Sequence, residues 1–303
     1  MLAFVSWSIY AAEYDCSPYA FADPAHSQPE KQIEKSTDPQ GLLWSVQHES
    51  GAKSFLFGTM HLSDPRITAL AAKVQPALES VSKFAMEVLF TAETESVIAA
   101  RMFYSGGERL STQLHPSLFR ATKKLLQRHG VEQRAVDRVR PWAAYLTLAL
   151  PPDQQGVPLD FQLMNSARQL GHTVLAIETI DEQLGVFDKL SEQTQISLLA
   201  ESVCNYRQIQ AQISAMVDLY FDQDLQGMIE FSDGVRTPVN AVLVKRMFTD
   251  RNKVMVDRIK PWMEQGDIFV AVGALHLPGE TGLLKALERL GFKVQAVAIG
   301  ANP

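Results

Sequence analysis

Two tetrapeptides of one design, Gly58-Thr59-Met60-His61 and Gly273-Ala274-Leu275-His276, constrain this chain more than any other feature. Each closes an apolar run, Phe55-Leu56-Phe57 in the first copy and Ile268-Phe269-Val270-Ala271-Val272 in the second. Each continues through a leucine, Leu62 or Leu277, into a stretch with helical spacing. A buried strand that stops at a glycine and offers an imidazole before a helix places that imidazole at the carboxyl edge of a sheet. That edge is where α/β proteins hold ligands. A lone histidine is more often a core or surface residue. Two at the same strand-end position read most simply as one shared metal site.

The elements around the motifs repeat as well. Leu42–Gln47 and Ser54–Phe57 read as strands joined by a hairpin across Glu49-Ser50-Gly51-Ala52. After His61, Ser63-Asp64-Pro65 supplies a capping side chain and a first-turn proline. Ile67, Leu70, Val74, Leu78 and Val81 then keep helical spacing, and Lys83–Phe90 is an apolar strand interrupted by Glu87. In the second copy Leu283, Leu284, Leu287 and Leu290 form the helical stripe, Gly291 stops it, and Lys293–Ile299 is the next strand. The expected fold is therefore α/β, with a central mixed sheet built from two strand–GxxH–helix–strand half-repeats. The counterpart of Glu87 falls near Val297, so the acid is not duplicated, which suits one shared site better than two.

Between the copies, about 93–265, the pattern is mainly helical and reads as an inserted helical subdomain. Pro116–His129, Val131–Leu150 (with Pro141 a break or kink), Asp160–Leu170, Ser191–Met216 and Pro238–Met263 all carry helical patterning. His172–Ile177 is an apolar strand ending at Glu178.

The ordered domain is expected over 41–303. Residues 1–40 read as a secretory-type segment followed by a linker rich in Pro, Ser, Gln and charge. Leu2–Ala12 is apolar and ends in small residues but lacks the basic start of a signal peptide. It reads as an export segment beginning upstream of Met1, with an N-terminal strand or helix packed on the domain as the alternative. The expected location is periplasmic or secreted, with membrane association only through this segment if it stays uncleaved. Two cysteines, Cys16 and Cys204, could form one disulfide in an exported protein but prove nothing about compartment. Cys16 is a poor lipoprotein site, because Glu13-Tyr14-Asp15 precede it. A net charge of −6 without a long basic run argues against nucleic acid as a partner. No apolar run reaches the ~20 residues that span a bilayer.

The candidate metal ligands are His61, His276 and Glu87. A carboxylate inside Phe84-Ala85-Met86-Glu87-Val88-Leu89-Phe90 costs several kcal/mol if buried alone. A metal ion or an arginine would remove that penalty. Glu178 either caps the helix that starts near Thr179 or belongs to the site. Arg251, in Thr249-Asp250-Arg251-Asn252, reads as standing at a helix start, where a cation opposes the macrodipole. That placement suggests a carboxylate or oxyanion partner, or else a solvated surface. Two histidines and a glutamate make a three-ligand set with one position open for water. No HExxH, Walker loop, GxGxxG or GxSxG is present.

The paired GxxH motifs, Glu87, Arg140-Pro141-Trp142, Ile177-Glu178-Thr179 with Gln183, and Arg251-Asn252 together resemble the TraB/PrgY/GumN family, whose animal relatives include the Tiki proteases. The resemblance runs from about Trp44 to Ile299. It implies a fold similar to erythromycin esterases and haem-binding ChaN proteins, and metal-dependent hydrolysis of a peptide or protein substrate. Mn²⁺ or Co²⁺ would be the favoured ion, with Zn²⁺ an alternative, and the family is compatible with a homodimer. Carried onto this chain, His61, Glu87 and His276 would hold the metal. Glu87, Glu178 and Arg251 would serve catalysis, Glu178 as proton shuttle and Arg251 steadying the oxyanion. The rival expectations are a non-catalytic peptide-, haem- or metal-binding protein of this fold and a small-molecule esterase.

Overall fold

The structure, a computed structural model, describes residues 14–21, 41–152 and 156–299. The expected export segment, Leu2–Ala12, lies outside the described residues, as does most of the linker.

The apolar runs become the strands of one six-stranded mixed sheet. Chain order gives β1 (Leu43–Gln47), β2 (Lys53–Thr59), β3 (Lys83–Met86), β4 (Thr173–Ala176), β5 (Ile268–Gly273) and β6 (Lys293–Val297). Spatial order is β4-β3-β5-β2-β1-β6. Strands β2, β5, β3 and β4 are mutually parallel, while β1 runs antiparallel to both β2 and β6. The hairpin turns at Gly51, whose φ of 86° suits glycine. Phe55, Leu56, Phe57, Phe84, Ala85 and Ile268 to Val272 are all buried, as continuous apolar runs require when both faces of a parallel sheet are covered.

The helices are α1 (Leu70–Glu79), α2 (Ala92–Met102), α3 (Pro116–Arg128), α4 (Pro141–Leu148), α5 (Leu159–Gln169), α6 (Ile180–Asp188), α7 (Glu192–Cys204), α8 (Tyr206–Phe221), α9 (Leu225–Gly234), α10 (Arg251–Gln265) and α11 (Leu283–Arg289), with shorter turns between them. Asp64 caps a one-turn helix ahead of α1 by accepting from the Arg66 amide, with Pro65 in its first turn. Pro141 is a break and not a kink: it occupies the first turn of α4, and residues 131–140, expected to be helical, form turns and one short 3-10 turn instead.

Two apolar cores result. One lies against the sheet and draws in α5, α8, α9 and α10. The other is built by helices of the expected insertion around Trp142, Leu118, Leu126, Leu148 and Leu199. Strand β4 comes from within the same 93–265 stretch and joins the edge of the sheet. A disulfide, Cys16–Cys204, ties the segment around Cys16 to the end of α7, and Asn205 fastens it further by donating to the Tyr19 carbonyl and accepting from the Phe21 amide. No helix among the described residues is long and apolar enough to cross a membrane.

Three local readings need correction. Glu87 does not interrupt a strand: β3 stops at Met86, and Glu87 is the first residue past its carboxyl end. Glu178 does not cap α6. Thr179 does, in a reciprocal capping box with Glu182. Arg251 is not at a free helix start, because a one-turn helix (Ala241–Lys245) and a π-turn (Arg246–Asp250) lead into it. The macrodipole argument therefore does not apply to Arg251. A π-turn re-aims the side chains that follow it, and such turns are common at functional sites.

Candidate functional site

The two GxxH copies lie on neighbouring parallel strands. In the β2–β5 ladder Gly58 faces Val272 and Thr59 faces Gly273, so the copies are offset by one residue. Both imidazoles nevertheless reach the same carboxylate. His61 Nε2 and His276 Nε2 each lie 3.8 Å from Glu87 Oε1.

Neither motif glycine has positive φ, so a sharp exit from the strand is not what requires glycine. A Cβ on Gly58 would come within 2.8 Å of Leu277 Cδ1 and 3.0 Å of Ala274 Cα, where the second motif packs on the first. A Cβ on Gly273 would sit 3.3 Å from Glu87 Oε1, 3.5 Å from His276 Cδ2 and 3.7 Å from His61 Nε2. Gly273 is thus the floor on which the three side chains meet.

The far nitrogen of each imidazole is occupied. His61 Nδ1 is 2.9 Å from Asp160 Oδ2, and Asp160 Oδ1 accepts from the Thr59 hydroxyl at 2.5 Å. A carboxylate can only accept, so His61 Nδ1 carries the proton. His276 Nδ1 is 2.5 Å from Asn252 Oδ1, while Asn252 Nδ2 donates to the carbonyls of His276 and Thr281. Those donations fix the amide orientation and make His276 Nδ1 the donor too. In the neutral form both rings therefore present an Nε2 lone pair toward Glu87.

Glu87 is held on every side. Its Oε1 accepts from the Gly273 amide at 2.7 Å; its Oε2 accepts from Gln183 at 3.1 Å and Arg251 at 2.5 Å. Arg251 also bonds both oxygens of Glu178 and donates to the Met247 carbonyl in the π-turn. Burial opposes ionisation of Glu87, but His276, Arg251, His61 and the Gly273 amide outweigh it and hold the carboxyl below the usual range. Arg251 and the Gly273 amide favour the carboxylate whatever the state of His276. Burial lowers His276 to about 4 against the pull of Glu87, leaving it neutral at neutral pH. Asp160 raises His61 to about 9 against burial. The His61 side chain is 58% exposed, so water screens part of that attraction. Burial raises Glu178, partly offset by Arg251.

The donor chemistry fits a divalent cation. Two carboxylates, Glu87 and Glu178, bond the Arg251 guanidinium and a third, Asp160, bonds His61, so the carboxylates outnumber the one fixed cation. The neutral His276 ring presents its Nε2 lone pair to the Glu87 oxygen, a repulsion that a cation between them would relieve. The spacing is looser than a filled shell, whose donors sit roughly 3.0–3.5 Å apart for bonds of about 2.0–2.2 Å. Among the described residues no group of three or more His, Cys, Asp or Glu side chains is drawn in far enough to hold an ion as it stands.

All five predicted residues meet here: His61, Glu87 and His276 directly, Glu178 through Arg251. Asp160 was missed as a site residue. Its signal was an acid on the apolar face of α5, in register with Leu163, Met164 and Ala167. Asn252 and Gln183 stood in the resembling segments without an assigned contact. His48 and His115 bond neighbouring serines in a turn and a helix cap, away from the site.

No curated protein and no solved structure matches the chain. The family model of the TraB/PrgY/gumN family matches residues 42–296, from just before β1 into β6. With the paired GxxH strands, Glu87 and Arg251 assembled in one place across that span, the chain belongs to the TraB/PrgY/gumN family.

Proposed function

We propose that this protein is a metal-dependent hydrolase acting on peptides. One observation carries the reading: two imidazoles with occupied Nδ1 atoms direct Nε2 to within 3.8 Å of a single carboxylate oxygen. His61 Nε2, His276 Nε2 and Glu87 Oε1 would hold the ion, with Mn²⁺ or Co²⁺ favoured and Zn²⁺ an alternative. When bound, a divalent ion polarises a scissile carbonyl and lowers the pKa of water toward ~7.

The chain's own groups do the rest. Asn252 holds the His276 ring with its Nε2 toward Glu87, where the ion would be held. Gln183, Arg251 and the Gly273 amide fix the Glu87 carboxylate, so little reorganisation accompanies reaction. Arg251, 13% exposed, is the nearest fixed cation for a developing oxyanion. Both Glu178 oxygens accept from Arg251, so Glu178 acts by holding that guanidinium, and the proton-shuttle role passes from it. The exposed flank of the site is His61, and substrate would approach from there. The choice of peptide follows the Tiki resemblance.

The Cys16–Cys204 disulfide supports a periplasmic or secreted location, since such bonds persist in oxidising compartments. A second reading, a protein that binds peptide, haem or metal without turnover, draws support from the open donor spacing. Incubating the protein with a peptide library and Mn²⁺, with and without chelator, separates the two. Chelator-sensitive cleavage is expected. A haem absorption band on titration without any cleavage would overturn the hydrolase reading.

A further inference from the structure

Resting on that reading, we infer that Asp160 is the positioning residue of the first imidazole, and that the two histidines are held by chemically different partners. The duplication supplies the two rings but not their supports. His276 leans on Asn252 from α10, a neutral amide, and is itself buried. His61 leans on Asp160 from α5, a carboxylate, and is exposed on its far side.

The contrast has a physical reason. His276 is wedged by packing: Phe248 lies 5.3 Å from its ring, and the Asn252 amide also clasps its own backbone carbonyl. An amide suffices there, because the walls already prevent rotation. Among the described residues the exposed ring of His61 meets no such walls, and one hydrogen bond, to Asp160, sets its orientation. A charged acceptor makes that bond roughly twice as strong as a neutral one. Asp160 can serve because it is itself immobile. It is 3% exposed, stands in the first turn of α5 and receives the Thr59 hydroxyl from the end of β2. Thr59 occupies the second position of the first GxxH motif, where the second motif has Ala274. The residue that braces the carboxylate is therefore present only in the copy that uses a carboxylate.

The test compares Asp160→Ala, Asp160→Asn and the wild type by two readouts. Calorimetric titration with Mn²⁺ gives ion affinity, and histidine ¹⁵N–¹H spectra of the metal-free protein in alkaline buffer report which nitrogen of His61 carries the proton. Loss of an outer partner of a ligating histidine typically weakens metal binding about 10- to 100-fold. That loss is expected for Asp160→Ala, together with a mixture of tautomers at His61. Asp160→Asn keeps an acceptor but a weaker one, and is expected to recover part of the Nδ1-protonated population and of the Mn²⁺ affinity, falling between Asp160→Ala and the wild type. A residue that merely stabilised α5 would lower the unfolding temperature without changing the tautomer. Unchanged His61 spectra in Asp160→Ala, or no recovery in Asp160→Asn, would overturn the inference. If the wild type takes up no Mn²⁺, the metal reading fails, and the spectra alone decide the role of Asp160.

Discussion

Thr59 and Gly273 are register partners on adjacent parallel strands, so the two histidine motifs abut with a one-residue offset. That offset lets one motif glycine pack against the other motif while the second glycine faces the site. The two are expected to respond differently to the same methyl group. Gly58→Ala forces a Cβ against Leu277 and the Ala274 backbone, and overpacking of this kind costs about 1–3 kcal/mol. Gly273→Ala meets only the tips of Glu87, His276 and His61, at ordinary or slightly tight distances. It is expected to fold with near-normal stability yet lose roughly tenfold or more in activity, because small displacements of reacting groups are costly. Urea unfolding and peptide-cleavage assays on both variants check this; equal effects on stability would contradict it.

Arg251 balances two buried carboxylates. Removing one partner of a buried charge network typically costs about 3–5 kcal/mol, since the survivors stay buried without compensation. Arg251→Met should lose about that much stability, with most of it recovered in the triple variant that also carries Glu87→Gln and Glu178→Gln. Chemical denaturation of the two variants is the check, and a single variant as stable as wild type would refute the network.

Much of this was legible beforehand. The apolar runs at Phe55–Phe57 and Ile268–Val272 specified buried strands of one sheet, and the glycine–histidine spacing placed both imidazoles at its carboxyl edge. What escaped was whatever depends on contacts between distant segments. Asp160 looked like an ordinary first-turn acid, because nothing local shows that α5 crosses behind His61. Arg251 reads as a cation at an unfavourable helix start, because a π-turn has no pattern that separates it from α-helix. Glu178 is left between a cap and a site residue, since it and Thr179, which makes the cap, both stand within a residue of the helix start. The π-turn and the one-residue offset between motifs are outcomes of packing, and neither has a local signature.

The capping box of α6 carries a pH dependence. Arg258, the Thr179 amide and the Thr179 hydroxyl hold Glu182 at about 2, below the ~4.3 of a free glutamate. The folded-state pKa is depressed, so the contribution is complete above the unfolded value and fades as pH falls through the folded one. Between about pH 4.5 and pH 2 the wild type should lose stability faster than Glu182→Gln. Unfolding temperatures across that window measure the difference. Parallel curves would show that the carboxylate contributes nothing.

Cys16 and Cys204 are 188 residues apart, and closing so long a loop removes much disorder from the unfolded chain. Replacing both by serine, or reducing the protein, is expected to cost about 2–5 kcal/mol. Thermal melts with and without reductant test this. An unchanged melt, with free thiols detected in the protein as purified, would exclude the bridge.

The most direct test of the central claim is elemental analysis of protein purified without chelator, or equilibrated with Mn²⁺ and desalted. About one divalent transition metal per chain is expected, falling to background in the His61→Ala, His276→Ala double variant with the fold retained by circular dichroism. A wild type that holds no metal after equilibration, or a double variant that holds as much, would contradict the account.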